Sequence, residues 1–95
     1  IVVNLRGEGA TSYLQAGIEV MARGEETIGA VQEHMPVVRN NLLLLLGSQT
    51  YKDIDDREGK ERLRRRALEE VNKVLAEQGI EEQVEAVYFT SFVLQ

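Results

Sequence analysis

Residue types that form covalent cross-links or perform chemistry are scarce in this sequence. The 95 residues include no cysteine and a single histidine, His34. Without cysteine, the chain has neither a disulfide framework nor a thiolate zinc site. A lone helical histidine with no partner at a fixed spacing is more typical of a spectator side chain than of a catalytic base. The chain is still long enough to form one domain with its own hydrophobic core.

A long apolar run and an excess of positive charge are also missing. No apolar run approaches the roughly 18 residues that a membrane span needs, so no span is predicted within this sequence. The formal net charge of -5 argues against nucleic acid or an anionic membrane surface as the main partner. The sequence starts at Ile1 inside a strand-like pattern and without an initiator Met, which predicts a domain excised from a longer protein.

Motifs that bind cofactors or metals are missing as well. The sequence contains no HExxH, CxxC, GxGxxG or P-loop pattern. Asp53, Asp55 and Glu58 are close in sequence, but the fixed ligand pattern of a calcium loop, with its central glycine, is not present. We therefore predict a protein that is not an enzyme and that has no cofactor and no metal site.

Aromatic residues near the end of the chain invite comparison with RNA-binding modules. Tyr88, Phe89 and Phe92 fall on a predicted strand, and such modules stack bases on aromatic side chains of an open sheet face. Those aromatic side chains need basic neighbours, whereas the preceding segment 81–85 is acidic. We interpret the aromatic residues as core and predict no nucleic-acid partner.

The apolar pattern predicts an α+β domain with a small three-stranded, mainly antiparallel sheet and helices packed on one face. Residues 1–5 and 13–22 are predicted to form a hairpin through the turn-prone Gly7-Glu8-Gly9. Residues 84–95 are predicted as the last strand. One of its faces would carry Val84, Ala86, Tyr88, Phe92 and Leu94, and the other Val87, Phe89 and Val93. Two apolar faces predict a central strand that is covered on both sides.

In the middle of the sequence, apolar residues recur at intervals typical of helices. The predicted helices are 27–35, a second helix that begins at Pro36 and ends at the loose exit 47–49, and 58–78 with Gly79 as the C-terminal stop. The last of them carries an apolar stripe, formed by Leu63, Ala67, Val71, Val74 and Leu75. The stretch 51–59 is polar and acidic, and we predict a surface connection there.

The predicted second helix contains five consecutive leucines, Leu42–Leu46. At about 100° per residue, its core face consists of Val38, Leu42, Leu45 and Leu46. Leu43 and Leu44 fall to either side of this face, and Val37 lies near Leu44. A helix that is apolar all round is normally buried on more than one side. It is either a central core helix or one whose Val37 and Leu44 flank meets a neighbouring protein molecule.

Arg64 and Arg65 belong to an arginine triplet on the predicted last helix. Opposite charges four residues apart indicate that most of the triplet is a solvated face. Arg64 instead falls inside the apolar stripe, between Val71 and Leu75. Its side chain either extends to the rim of the helix or pairs with a carboxylate of another element or subunit. The candidate interface residues from the sequence are Val37, Leu44, Arg64 and Arg65.

The order and spacing of several short motifs resemble those of the FliL family of flagellar basal-body-associated proteins, over essentially the whole chain. The terminal Val87–Gln95 segment is the most specific of these motifs. The others are Val2–Leu5, Tyr13-Leu14, Pro36, Arg39-Asn40 with the leucine run, Gly59-Lys60, Leu63-Arg64 and Asn72.

The resemblance implies a bacterial inner-membrane protein with one N-terminal transmembrane helix, of which residues 1–95 would be the single periplasmic domain. It also implies a fold similar to the stomatin and prohibitin (SPFH) scaffold domain. Such proteins are expected to form rings around ion-driven stator units of MotA/MotB type, supporting torque in swimming or swarming. The alternative is a generic stomatin-like scaffold that organises another membrane complex.

A ring needs two different surfaces that meet head to tail. The flank of Val37 and Leu44 is the candidate for one of them. The exposed sheet face or the arginine-rich helix is the candidate for the other.

Overall fold

The fold is a three-stranded antiparallel sheet with helices on one side, seen in a computed structural model that describes residues 1–7 and 12–95. The strands are β1 (Val2–Asn4), β2 (Tyr13–Met21) and β3 (Ala86–Leu94). The helices are α1 (Glu25–Glu33), α2 (Met35–Gly47), α3 (Tyr51–Ile54) and α4 (Arg57–Glu77). The α+β class and the antiparallel pairing of the first two strands are therefore confirmed. Glu8 and Gly9 of the predicted turn lie outside the described residues.

The strand order is β1-β2-β3, so β2 is central and β3 lies at an edge of the described sheet. The prediction of a central last strand is therefore wrong. That prediction is based on two apolar faces of the strand, and a bulge explains this pattern. Gly17 pairs with Ser91 and Ile18 with Phe89, which leaves Thr90 without a partner. An extra residue reverses which side chains face the core.

The bulge places the larger apolar residues of β3 on one face, contrary to the predicted division. Val87 and Phe89 are opposite Val20 and Ile18, and they share the helix-covered face with Phe92 and Leu94. Tyr88 and Val93 are opposite Glu19 and Gln15, and they are exposed. The second face of β3 is therefore an open surface in the part of the chain that the structure describes.

The core lies between the sheet and the two longest helices, with α2 near β1 and α4 near β3. The predicted core faces of both helices are confirmed. The buried residues of these faces are Val38, Leu42, Leu45 and Leu46 on α2, and Leu63, Ala67, Val71, Val74 and Leu75 on α4. From β2, Leu14 and Ala16 complete this apolar interior.

The predicted surface connection 51–59 is wrong in part, because it contains α3 and the fully buried Ile54. Three polar residues of this region, Thr50, Asp53 and Asp56, make helix-capping hydrogen bonds. Thr50 and Asp53 form a capping box, in which the Asp53 N–H donates to Thr50 Oγ1 and the Thr50 N–H donates to Asp53 Oδ2. Asp56 Oδ1 accepts the Gly59 N–H at 2.7 Å and so caps α4.

The end of α4 confirms the predicted glycine stop. Gly79 has a positive φ of 79°, the left-handed conformation that glycine adopts most readily. The Ile80 N–H donates to the Leu75 carbonyl at 2.9 Å, which is the hydrogen bond of a Schellman motif. The chain turns there toward β3.

Asn72 attaches the segment before β3 to α4. The Val84 N–H donates to Asn72 Oδ1 at 2.8 Å, and Asn72 Nδ2 donates to the Val84 carbonyl at 3.3 Å. Because Val84 is buried, Asn72→Ala leaves these groups without partners and should lower the free energy of unfolding by about 1 to 3 kcal/mol. Urea denaturation measures this loss. The control Lys73→Ala removes an exposed side chain on the same helix turn, and an equally mild effect of both variants would contradict the prediction.

Candidate interaction surface

The flank of α2 that bears Val37 and Leu44 is exposed. The exposed fraction is 44% for Val37 and 66% for Leu44, whereas Leu46 on the same helix is 0% exposed. Val37 and Leu44 are seven residues apart and therefore lie on the same side of the helix. The leucine helix thus combines a core face with an apolar flank that no described element covers.

Leu44 lies beside α4 in a shallow groove between the two helices. Ser48 and Asn41 line the groove from the α2 side, and its α4 side is formed by Arg66, Glu70 and Lys73. An apolar side chain within a charged rim is a common arrangement at protein interfaces. The arginine that lines this groove is therefore Arg66, which the sequence-based candidates omit.

Arg64 lies on the opposite flank of α4, at the rim of the helix next to β3. Its Nε donates to Glu61 Oε2 at 3.0 Å, and its Nη1 donates to the Val87 carbonyl at 3.3 Å. Its Nη2 also pairs with the Glu61 carboxylate. These hydrogen bonds lower the pKa of Glu61 and raise the pKa of Arg64. The partner carboxylate lies on the same helix, so within the described residues Arg64 extends to the rim, the first of the two alternatives, and does not pair with a carboxylate of another element.

Arg65 is exposed, in an open groove along α4 that is lined by Arg57 and Arg62 and also by two glutamates, Glu58 and Glu61. The four sequence-based candidates therefore do not form one site. Val37 and Leu44 share a flank of α2, whereas Arg64 and Arg65 lie elsewhere on α4.

Arg62 and Arg66 line a polar recess where α3 meets α4. Its volume is about 270 Å³, and its wall includes Ser48, Gln49 and Asp53. Sequence reasoning missed both arginines, although their spacing of four residues places them on one helix face and was the available signal. Because Arg66 and Ser48 also line the Leu44 groove, recess and groove form one continuous surface.

The outer face of the sheet is a second exposed surface with apolar residues. Across residues 1–7 and 12–95, no helix covers the side chains of Val2, Met21, Tyr88 and Val93. This agrees with the expectation that the described helices cover only one face of the sheet. Gln15 and Glu19 separate the apolar side chains, so the face is mixed in polarity.

Two kinds of feature are absent from the described ranges, a cluster of metal-binding side chains and a helix that could span a membrane. Residues 1–7 and 12–95 contain no cluster of three or more acidic or histidine side chains suited to a metal ion. None of the helices in these ranges has the length and hydropathy needed to cross a bilayer.

Comparison with known proteins gives a consistent result. The sequence profile of a family described as "Flagellar basal body-associated protein FliL" matches residues 1–95. The flagellar protein FliL of Aquifex aeolicus (strain VF5) is 33% identical over 94 residues, covering 99% of this chain and 56% of that protein. The flagellar protein LafL of Vibrio parahaemolyticus serotype O3:K6 (strain RIMD 2210633) is 22% identical over 95 residues, covering 100% and 57%. The chain spans about half the length of these curated relatives.

Proposed function

Since this chain belongs to the FliL family of flagellar basal body-associated proteins, we propose that it is a motor accessory that self-assembles around stator units and supports torque. Family membership itself gives the flagellar role, and the family is not known for enzymatic activity. Self-assembly and the stator contact are the proposed part. Their structural basis is the pair of exposed surfaces on α2 and on the sheet.

The exposure of Leu44 is the observation that carries this proposal. Leu44 is 66% exposed, although the neighbouring Leu45 and Leu46 are buried, so packing in the core does not explain why this position is apolar. A closed ring joins two different surfaces of each copy. The α2 flank with the Leu44 groove supplies one of them in this proposal.

A membrane anchor and a periplasmic location are further parts of the proposal. The curated relatives are longer than this chain, and a transmembrane helix in the remaining part would tether the domain. Tethering raises the effective concentration, so that a weak interface between copies suffices for assembly. A scaffold role of the stomatin and prohibitin type fits a small α+β domain with an uncovered sheet face.

In-cell photocrosslinking of the full-length protein tests the proposal. A photoreactive residue replaces Leu44, and the control position is the exposed Glu69 on α4. We expect Leu44 to give a ladder of self-adducts together with adducts to stator proteins, both stronger than at Glu69. A self-ladder without stator adducts would favour a generic membrane scaffold. Absence of both would contradict the assignment of this flank to an interface.

A further inference from the structure

Charge is distributed unevenly along α4 and the segment that follows it. Four arginines lie within residues 62–66, whereas residues 69–85 contain six glutamates and one lysine. At about 1.5 Å per residue, these arginines lie roughly 16 to 23 Å along the helix from the end of α4 at Glu77. The domain is 44 Å long in its largest dimension, so the two charge regions lie well apart on one elongated molecule.

The basic region has arginines available for a partner. We name Arg62, Arg65 and Arg66 the basic surface; all three are exposed, and none forms an ion pair within residues 1–7 and 12–95. In the recess, Asp53 already accepts the Thr50 N–H. The hydrogen bonds from Thr50 lower the pKa of Asp53, and the charges of Arg62 and Arg66 lower it further. The recess therefore presents more positive than negative charge to a ligand.

The opposite end of the molecule is acidic. We name Glu25, Glu26, Glu81 and Glu82 the acidic end. The first pair begins α1 and the second lies between α4 and β3. These segments are adjacent, because the Glu85 N–H donates to the Met21 carbonyl at 2.8 Å and Arg23 pairs with Glu85 at 2.5 Å. The four glutamates are exposed, and no ion pair of the described residues includes them.

We propose that the acidic end of one copy docks on the basic surface of the next copy, with a glutamate carboxylate entering the recess between Arg62 and Arg66. This inference depends on the proposed self-assembly and specifies its interface. A second copy fits because both complementary surfaces belong to the same chain and are different surfaces, as head-to-tail assembly requires. The recess is also continuous with the Leu44 groove, which places an apolar contact beside the charged one.

Charge reversal tests this interface in the full-length protein, with the self-ladder from a photoreactive residue at position 44 as the readout. One variant combines Arg62→Glu with Arg66→Glu, and another combines Glu81→Arg with Glu82→Arg. Like charges then meet at every contact, and we expect each variant to lose about tenfold or more of the self-adducts. Glu33→Arg is the control, since it changes an exposed charge outside both surfaces.

Restoring complementary charges distinguishes the loss of this interface from a general effect of changed charge. The variant with all four substitutions reverses both surfaces and should recover the self-ladder. Coexpression of the two double variants should also recover adducts, formed between unlike copies. Wild-type levels in either double variant alone would overturn the inference, as would failure of both restorations while the variants keep the wild-type melting temperature. A wild-type protein that gives no self-adducts would instead overturn the proposed self-assembly.

Discussion

Leu46→Ala is expected to lower the free energy of unfolding of this domain by about 3 kcal/mol, whereas Leu44→Ala should change it by less than about 0.5 kcal/mol. Leu46 is fully buried, and truncation would remove apolar contacts and leave a cavity. The side chain of Leu44 is mostly in solvent, so the folded domain loses little when it is shortened. Two leucines on one helix therefore have separate roles.

Thermal unfolding followed by circular dichroism measures the difference. For a domain of this size, the loss at Leu46 corresponds to a decrease in Tm of roughly 10 to 25 °C. Leu44→Asp extends the comparison, since it should fold like the wild type and yet lose self-adducts in the cell. Equal destabilisation by Leu44→Ala and Leu46→Ala would mean that Leu44 is part of the core. Normal assembly of Leu44→Asp would remove the α2 flank from the proposed interface.

Gly59→Ala is expected to destabilise the domain by about 3 kcal/mol, although alanine is the better helix former. Gly59 lies in the first turn of α4, where the backbone of α3 passes directly over it. A Cβ atom there would overlap the carbonyl oxygen of Asp53 and lie 2.9 Å from its carbonyl carbon. Because the obstacle is backbone, relief requires α3 and α4 to separate.

Gly29→Ala is the matched control for this effect. Gly29 lies in α1, and a Cβ atom there meets nothing within 4 Å. Alanine at this position should therefore raise the free energy of unfolding by about 0.5 to 1 kcal/mol through helix propensity and reduced chain entropy. Urea denaturation of both variants gives the comparison. A stabilising Gly59→Ala would show that the contact between α3 and α4 is loose.

The sequence predicts the helix faces well because long helices repeat their apolar residues over many turns. All four residues of the α2 core face and all five of the α4 stripe are buried as predicted. Gly79 is recognisable because a helix end needs a particular backbone conformation there. Regular periodicity and strong local preferences are properties that a single sequence contains.

The bulge at Thr90 and the helix α3 are less accessible from sequence. A bulge adds one residue without a distinctive composition, yet it exchanges the faces of every residue beyond it. In the segment before α4, Thr50, Asp53 and Asp56 appear as loop residues, because the same polar side chains favour turns and helix caps. Only a single buried residue, Ile54, shows that this segment reaches the core.

The candidate surface was predicted in part, for a related reason. Helical geometry places Val37 and Leu44 on one flank from the sequence alone. The proximity of Leu44 to Arg66, and not to Arg64 or Arg65, depends on how α2 packs against α4. That packing is a tertiary feature, and the spacing of residues within one helix does not predict it.

The pairing of β2 with β3 has a consequence for the order of folding. Leu14 is opposite Leu94, and all four helices lie between these strands in sequence. Contacts so distant along the chain form slowly, because a long loop must close before they contribute stability. We therefore expect the helices to form early from local contacts, while β2 stays without its second neighbour until β3 docks. A nascent chain would expose an apolar strand during this interval.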